Sequence, residues 1–139
     1  MLCFEMNFSI SFNEDLQGYG HEDTLFGYEL NKKDIHIHHL DNPVLNGHLD
    51  SNEEFIRKTE EGLGNLLNVW KIVNYDNDLI KTIRILSYFI KYKNYFWFKS
   101  LFWVFKKPTR FFLRIGFSNL HLFDFYKLGF LIELNAKME

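Results

Sequence analysis

The stretch GYGHEDTLFGYEL, residues 18–30, decides how this chain is organised. Its first two glycines, Gly18 and Gly20, indicate a turn, and the apolar residues after them recur at helical spacing. We therefore predict a helix from Glu22 to about Lys32. Glu22 and Asp23 fall in its first turn, where the helix dipole favours negative charge. On this stretch alone, capping and dipole compensation are the expected roles of the two acids.

Alternating apolar and polar residues on both sides of this helix indicate strands. Alternation occurs at residues 8–12, and again at residues 34–40, where Ile35 and Ile37 alternate with His36 and His38. The sequence thus predicts an α/β fold that begins with a strand-turn-helix-strand unit. Two strands cannot bury both of their faces. We therefore expect this unit to need more sheet than the chain supplies.

Helical patterns dominate the rest of the chain. Ser51 followed three residues later by Glu54 is a capping box, and it predicts a helix to about Trp70. The residues expected on its buried face are Phe55, Leu63, Leu66 and Leu67. A further helix is predicted from Asp78 to about Tyr92. Beyond it we expect an aromatic stretch over 95–105, a break at Pro108, and two short elements at 111–115 and 120–134.

The charge is distributed unevenly along the chain, although the net charge is only −2. Residues 1–69 carry 13 acidic and 4 basic side chains, whereas residues 70–120 carry 2 acidic and 10 basic ones. The basic block is also rich in aromatic residues. Such a block predicts an anionic partner, either membrane headgroups or nucleic acid. The absence of a recognisable nucleic-acid motif makes nucleic acid the weaker alternative.

The chain shows no pattern of a secreted or membrane-spanning protein. Its first residues lack a basic region, and Glu5 interrupts the apolar stretch, so we expect no signal peptide. Residues 85–105 are long enough to span a bilayer, but they contain Lys91, Lys93 and Lys99. Each lysine in mid-membrane costs about 2.5–3.5 kcal/mol. This segment is therefore predicted to be interfacial or buried, in a cytoplasmic protein that can associate peripherally with a membrane.

Several motifs together resemble the C-terminal half of bacterial family-2 glycosyltransferases. They are Phe12-Asn13-Glu14, GYGHEDTLFGYEL at 18–30, His39-Leu40-Asp41-Asn42-Pro43-Val44-Leu45, Lys58-Thr59-Glu60-Glu61-Gly62 with Asn65-Leu66, and LFDFYKLG at 122–129. The similarity is most specific at 18–30 and 39–45, and it is weak between 75 and 115. It implies a partial GT-A fold, the acceptor-side half, with a helix-rich C-terminal part.

The resemblance also implies a reaction and roles for particular residues. The family transfers a sugar with inversion from a nucleotide-sugar to a saccharide or a lipid-linked acceptor. The second acid of the Glu-Asp pair, here Asp23, is the expected catalytic base, and Glu22 is expected to contact the acceptor or orient the site. The neighbouring residues expected to bind substrate are Tyr19, Gly20, His21 and Thr24.

A divalent metal, manganese or magnesium, is also implied by the resemblance. The family holds it with an Asp-x-Asp motif, and none precedes the acidic pair. Asp76-Asn77-Asp78 has the Asp-x-Asp pattern, but it follows the catalytic region in the sequence. His39 lies at a family position near the active-site floor and is a candidate ligand, although a solvated strand face is the simpler reading of the histidines at 36–39. We expect the nucleotide-sugar-binding half to lie outside this chain, which would be inactive by itself.

Two functional units and one alternative function complete the prediction. Residues 1–70 are expected to form the acceptor-side part with the acidic pair, and residues 71–139 an aromatic and basic helical extension. The aromatic residues of 88–114 either lie on a membrane surface or pack inward, with lysines reaching outward. A non-enzymatic, membrane-surface helical interaction module is the alternative to a sugar transferase.

Overall fold

The computed structural model describes residues 18–35, 47, 49–117 and 119–138. These residues form six α-helices and contain no β-strand. The helices are α1 (Glu22–Lys32), α2 (Asn52–Ile72), α3 (Asn77–Thr82), α4 (Arg84–Tyr92), α5 (Phe96–Arg114) and α6 (Leu120–Met138). Helices α5 and α6 pack closely together, α2 packs on both, and α4 packs on α6.

The predicted α/β class, and the partial GT-A fold with it, is therefore wrong for the part of the chain that is described. Asp34 and Ile35, the start of the second predicted strand, lie in the turn that ends α1, where Asp34 has a left-handed φ of 55°. The other predicted strand residues, 8–12 and 36–40, lie outside the described residues. Helices bury the apolar side chains against one another, so the described core does not need a sheet.

The two predicted N-terminal helices are confirmed. Helix α1 has the predicted bounds. Helix α2 begins with the predicted capping box: the Glu54 N–H donates to Oγ of Ser51, and the Ser51 N–H donates to the Glu54 carboxylate at 3.0 Å. One predicted core position on α2 is wrong, because Phe55 is half exposed and packs its ring near that of Phe123.

The helix predicted from Asp78 to Tyr92 is divided in two. Ile83 has an extended backbone, with φ −105° and ψ 103°, and it separates α3 from α4. The Ser87 hydroxyl donates to the Ile80 carbonyl at 2.7 Å across this break. That bond satisfies an oxygen that the interrupted helix would otherwise leave without a partner.

The predicted break at Pro108 is also wrong, because α5 continues through it. A proline inside a helix removes the N–H that would bond to the carbonyl four residues earlier, here that of Val104. Pro108 and Val104 are both exposed, so water can satisfy that carbonyl and the cost stays small. The two short elements predicted beyond Pro108 are instead the end of α5 and the long helix α6.

The larger of two apolar clusters in the described residues joins the helices. It contains buried residues from α1, α2, α3, α4, α5 and α6, on both sides of position 70. The largest fully buried side chains include Phe89 of α4 and Tyr126 of α6. Helices α5 and α6 cross where Phe102 packs over Gly129. This core holds α1, which carries the acidic pair, against α2 and α3.

Part of the basic block is neutralised inside the molecule. Arg110 of α5 pairs with Glu60 and Glu53 of α2 at 3.1 and 3.2 Å, and Arg114 pairs with Glu53 at 2.7 Å. On the α6 side, Lys106 pairs with Glu133 at 2.7 Å. Part of the uneven charge along the sequence is thus explained by ion pairs between acidic residues of α2 and basic residues of α5.

Candidate functional site: a clasped loop and an open cleft

The turn before α1 lies very close to α2. Gly18 and Gly20 have φ values of 91° and 96°, which favour glycine over every other residue. A Cβ on Gly20 would lie 3.3 Å from the Cα of Gly62. Gly18 and Gly20 therefore serve the conformation of the turn and its close approach to α2.

Two side chains of α2 hold the backbone of this turn. The Tyr19 N–H donates to Oε1 of Glu61 at 3.0 Å, and Nδ2 of Asn65 donates to the Tyr19 carbonyl at 3.2 Å. Asn65 is only 5% exposed, so the hydrogen bond it makes is costly to lose. Glu61 and Asn65 are one helical turn apart on α2. We call this pair of hydrogen bonds the Tyr19 clasp.

His21 connects the clasped turn to the helix. It has a left-handed φ of 72°, which is uncommon for a residue with a side chain. Nδ1 of His21 shares a hydrogen bond of 3.1 Å with Oγ1 of Thr24. Burial lowers the pKa of His21 from its usual value, although the negative charges of Asp23 and Glu22 act in the opposite direction. The imidazole is therefore mainly neutral at pH 7.

The two acids of the pair have different environments. Asp23 is exposed, and its Oδ1 accepts a hydrogen bond of 2.8 Å from the Thr24 N–H, which orients the carboxylate. Glu22 is half-buried. Adjacent residues on a helix point in different directions, so the two carboxylates do not share one proton site. Asp23 is thus the acid of this pair that is more open to an approaching molecule.

Asp23 lies at the edge of an open cleft between α1 and α3. The cleft has a volume of about 370 Å³. It is lined by Asp23, Thr24, Gly27, Tyr28, Asn31, Lys32, Asp78, Leu79 and Thr82. Small-molecule sites usually have volumes of about 300–1,000 Å³. The lining offers carboxylate, hydroxyl, amide and ammonium groups, which together can hydrogen-bond a polyhydroxylated molecule.

A charged network closes the far end of the cleft. The Lys32 ammonium lies 3.0 Å from Oδ2 of Asp76 and 2.9 Å from Oδ2 of Asp78. The Tyr28 hydroxyl donates to Asp76. That bond, the Asp78 N–H and the Lys32 ammonium hold the pKa of Asp76 well below its usual range. Asp76 therefore stays ionised and fastens α1 to α3.

The described residues do not fit the divalent metal that the resemblance implies. In Asp76-Asn77-Asp78 both carboxylates are already paired with the Lys32 ammonium. Nowhere in residues 18–35, 47, 49–117 and 119–138 do three or more His, Cys, Asp or Glu side chains form a group that could hold a metal ion. The other candidate ligand, His39, lies outside the described residues with His36 and His38.

The structure brings the predicted site residues together at one end of α1. Tyr19, Gly20, His21, Glu22, Asp23 and Thr24 occupy the clasped turn and the first helical turn. Of these, Asp23 and Thr24 line the cleft, whereas Tyr19 faces α2 and stacks under the Lys58 ammonium.

Sequence reasoning gave no role to the residues that hold the site. Glu61 and Asn65 belong to one of the motifs that resemble the glycosyltransferases, but no role was predicted for either residue. One signal was present: Asn65 is a polar residue inside the apolar stripe that includes Leu63 and Leu66. A polar residue at a buried position usually has a partner to bind. Tyr28 and Lys32 were missed because their partners lie more than 40 residues away.

Comparisons with known proteins identify no relative of this chain. No model of a protein family, no curated protein and no solved structure matches the chain.

Proposed function

We propose that this chain supplies the acceptor-binding portion of an inverting glycosyltransferase, with Asp23 as the catalytic base. The substrate is a hydroxyl group of a saccharide or a lipid-linked saccharide, and the donor is a nucleotide-sugar bound by polypeptide other than the described residues. The observation that carries the proposal is an exposed carboxylate at the edge of an open cleft whose lining includes hydroxyl, amide and ammonium groups. The resemblance of residues 18–30 and 39–45 to family-2 transferases gives the reaction class.

The chemistry requires a carboxylate that is ionised, oriented and reachable. A sugar hydroxyl is a weak nucleophile at neutral pH, so a base within about 2.6–3.2 Å must accept its proton as it attacks the anomeric carbon. Oδ1 of Asp23 is oriented by the Thr24 N–H, and the side chain is exposed to an approaching molecule. These features support Asp23 in this role.

The Tyr19 clasp and the charged network support the same proposal. They hold the start of α1 against α2 and the last turn of α1 against α3. A base must be held within fractions of an ångström of its substrate, and a rigid frame provides that precision. The α/β architecture expected from the resemblance forms no part of this proposal.

Binding of an acceptor can be measured on the chain itself. We would titrate isotope-labelled protein with methyl hexopyranosides and follow the backbone amide resonances. Saturable shifts are expected at Asp23, Thr24 and Gly27, which line the cleft. Shifts spread evenly over the surface, or their absence at every sugar concentration reached, would contradict an acceptor site here.

The role of Asp23 in catalysis needs a protein that also binds the donor. The DNA upstream of Met1 is to be translated, and any adjoining donor-binding segment expressed together with this chain. We expect Asp23→Asn to reduce turnover by at least about 100-fold, since a general base contributes about 10²–10⁴-fold. Asp34→Asn is the matched control, because Asp34 is an exposed aspartate beyond the other end of α1. A near-normal rate for Asp23→Asn would remove this residue from the mechanism.

A further inference from the structure

Helix α5 has a second apolar stripe, on the side that faces away from the core. Its inner stripe includes the buried residues Phe98, Phe102 and Thr109. Its outer stripe repeats every three or four residues and consists of Trp97, Leu101, Val104, Pro108, Phe111 and Ile115. All six are exposed. A helix whose apolar surface extends beyond the side covered by its own core needs a partner for the uncovered part.

Aromatic residues extend this outer surface on both flanks. Phe96 and Trp103 are 80% and 82% exposed on one flank, and Phe105 and Phe112 are about half exposed on the other. The apolar surface therefore covers roughly half of the circumference of the helix. A single helix docked along the outer stripe would leave Phe96 and Trp103 in water. A broad, deformable surface covers all of these side chains.

The charge of this surface is of one sign. The sequence contains no acidic residue between Asp78 and Asp124. Arg110, Arg114 and Lys106 are paired with acids of α2 and α6, but Lys99 and Lys107 are exposed on α5 beside the aromatic residues. A second copy of the same surface would bring lysines against lysines, with no acid in the segment to pair with them. An anionic partner fits the charge.

We infer that the outer face of α5 binds the surface of an anionic lipid bilayer, with the helix lying in the plane of the interface. Tryptophan and phenylalanine rings enter the boundary between headgroups and acyl chains, while Lys99 and Lys107 contact anionic headgroups. In the described residues no helix combines the length and apolar character needed to cross a membrane. This inference does not depend on the proposed sugar transfer, because vesicle binding is measured without any donor or acceptor.

The native tryptophans provide a direct readout. Trp97 and Trp103 are exposed, whereas Trp70 is buried in the core. We would mix the full chain with phosphatidylcholine vesicles, with and without phosphatidylglycerol. We expect co-sedimentation and a blue shift of tryptophan emission with the anionic vesicles, and weaker binding as salt is added. No binding to anionic vesicles by the folded chain would overturn the inference.

Two variants test the apolar and the charged contributions separately. Trp97→Ser/Phe111→Ser should reduce the partition coefficient by at least about tenfold, because two large apolar side chains no longer leave water. Leu49→Ser is the control, since Leu49 is an exposed apolar residue outside α5. Lys107→Glu should weaken binding to anionic vesicles only, and Lys33→Glu should leave it unchanged. Equal binding by the double variant and the wild type would overturn the inference.

A different occupant of this face would be recognised in the same experiments. Light scattering of the wild type without lipid measures its association state. A dimer that Trp97→Ser/Phe111→Ser dissociates, together with absent vesicle binding, would assign the face to a second copy and overturn the lipid inference. A monomer that binds anionic vesicles, and whose binding the double variant weakens, supports it. Circular dichroism establishes that the variants retain their helices.

Discussion

Gly129 lies where α5 and α6 approach most closely, and replacing it with alanine should destabilise the protein. A Cβ at this position would lie 2.0 Å from Cδ2 of Phe102 and 2.3 Å from its Cγ. Carbon atoms in contact normally lie about 3.5–4.0 Å apart. The Phe102 ring is 3% exposed and has the rings of Phe125 and Tyr126 beside it, with centroids 5.8 and 6.1 Å away. The ring would therefore have to shift to accept the added methyl group.

Two opposing terms set the size of the effect. Overpacking a filled core costs about 1–3 kcal/mol, and a contact this short belongs at the upper end. Alanine inside a helix is favoured over glycine by about 1 kcal/mol. The free energy of unfolding of Gly129→Ala should therefore fall by about 2 kcal/mol. Gly27→Ala is the matched control: Gly27 lies inside α1, and its Cβ would meet nothing within 4 Å. That variant should be more stable by about 0.5–1 kcal/mol.

Urea unfolding followed by circular dichroism measures both variants. Removing the ring should relieve the clash, so Phe102→Leu and Gly129→Ala together should cost less than the sum of the two single changes, by about 1 kcal/mol or more. Equal stability of Gly129→Ala and Gly27→Ala would refute the close crossing of α5 and α6. Additive effects of Phe102→Leu and Gly129→Ala would do the same.

Three further changes test the site and its supports. Asn65→Ala removes the buried hydrogen bond to the Tyr19 carbonyl and should lower the free energy of unfolding by about 1–2 kcal/mol. The backbone amides of residues 18–24 should then exchange their hydrogens faster. Unchanged exchange in these residues would contradict the clasp. Because burial lowers the pKa of His21 in the folded state, the unfolded chain binds more protons as pH falls below about 6.5. The free energy of unfolding should thus decrease as pH falls from about 6.5 to the folded-state pKa of His21, and it should level off below that pKa. In urea unfolding measured at several pH values, His21→Asn should abolish this decrease. Tyr126→Phe, which removes the hydroxyl bonded to Glu60, should cost about 1 kcal/mol in the same assay, and a neutral result would show that the bond contributes nothing.

Local signals in the sequence predicted α1 and α2 correctly because their causes are local. The capping box at Ser51 and the acids at the start of α1 act within one helical turn of themselves. The break at Ile83 and the continuity of α5 through Pro108 were not predicted. The continuity depends on which side of α5 faces water, because both Pro108 and Val104 are exposed. The alternation that begins at Asp34 was too short a signal to establish a strand, because Asp34 and Ile35 lie in the turn that ends α1.

The site was predicted as a list of residues, without the contacts that hold it. Asp23 was singled out from a motif, and its exposure at a cleft edge is a property of the packing of α1 against α3. The partners in the Tyr19 clasp are separated by 42 and 46 residues along the chain. Pairings at that distance follow from tertiary structure, which helical periodicity in a single sequence does not encode.

The Tyr19 clasp has a consequence for how this protein tolerates change. Because α2 binds the backbone immediately before α1, the position of the Asp23 carboxylate depends on α2 as well as on α1 itself. A substitution at Glu61 or Asn65 should therefore displace the acidic pair, although neither residue lines the cleft.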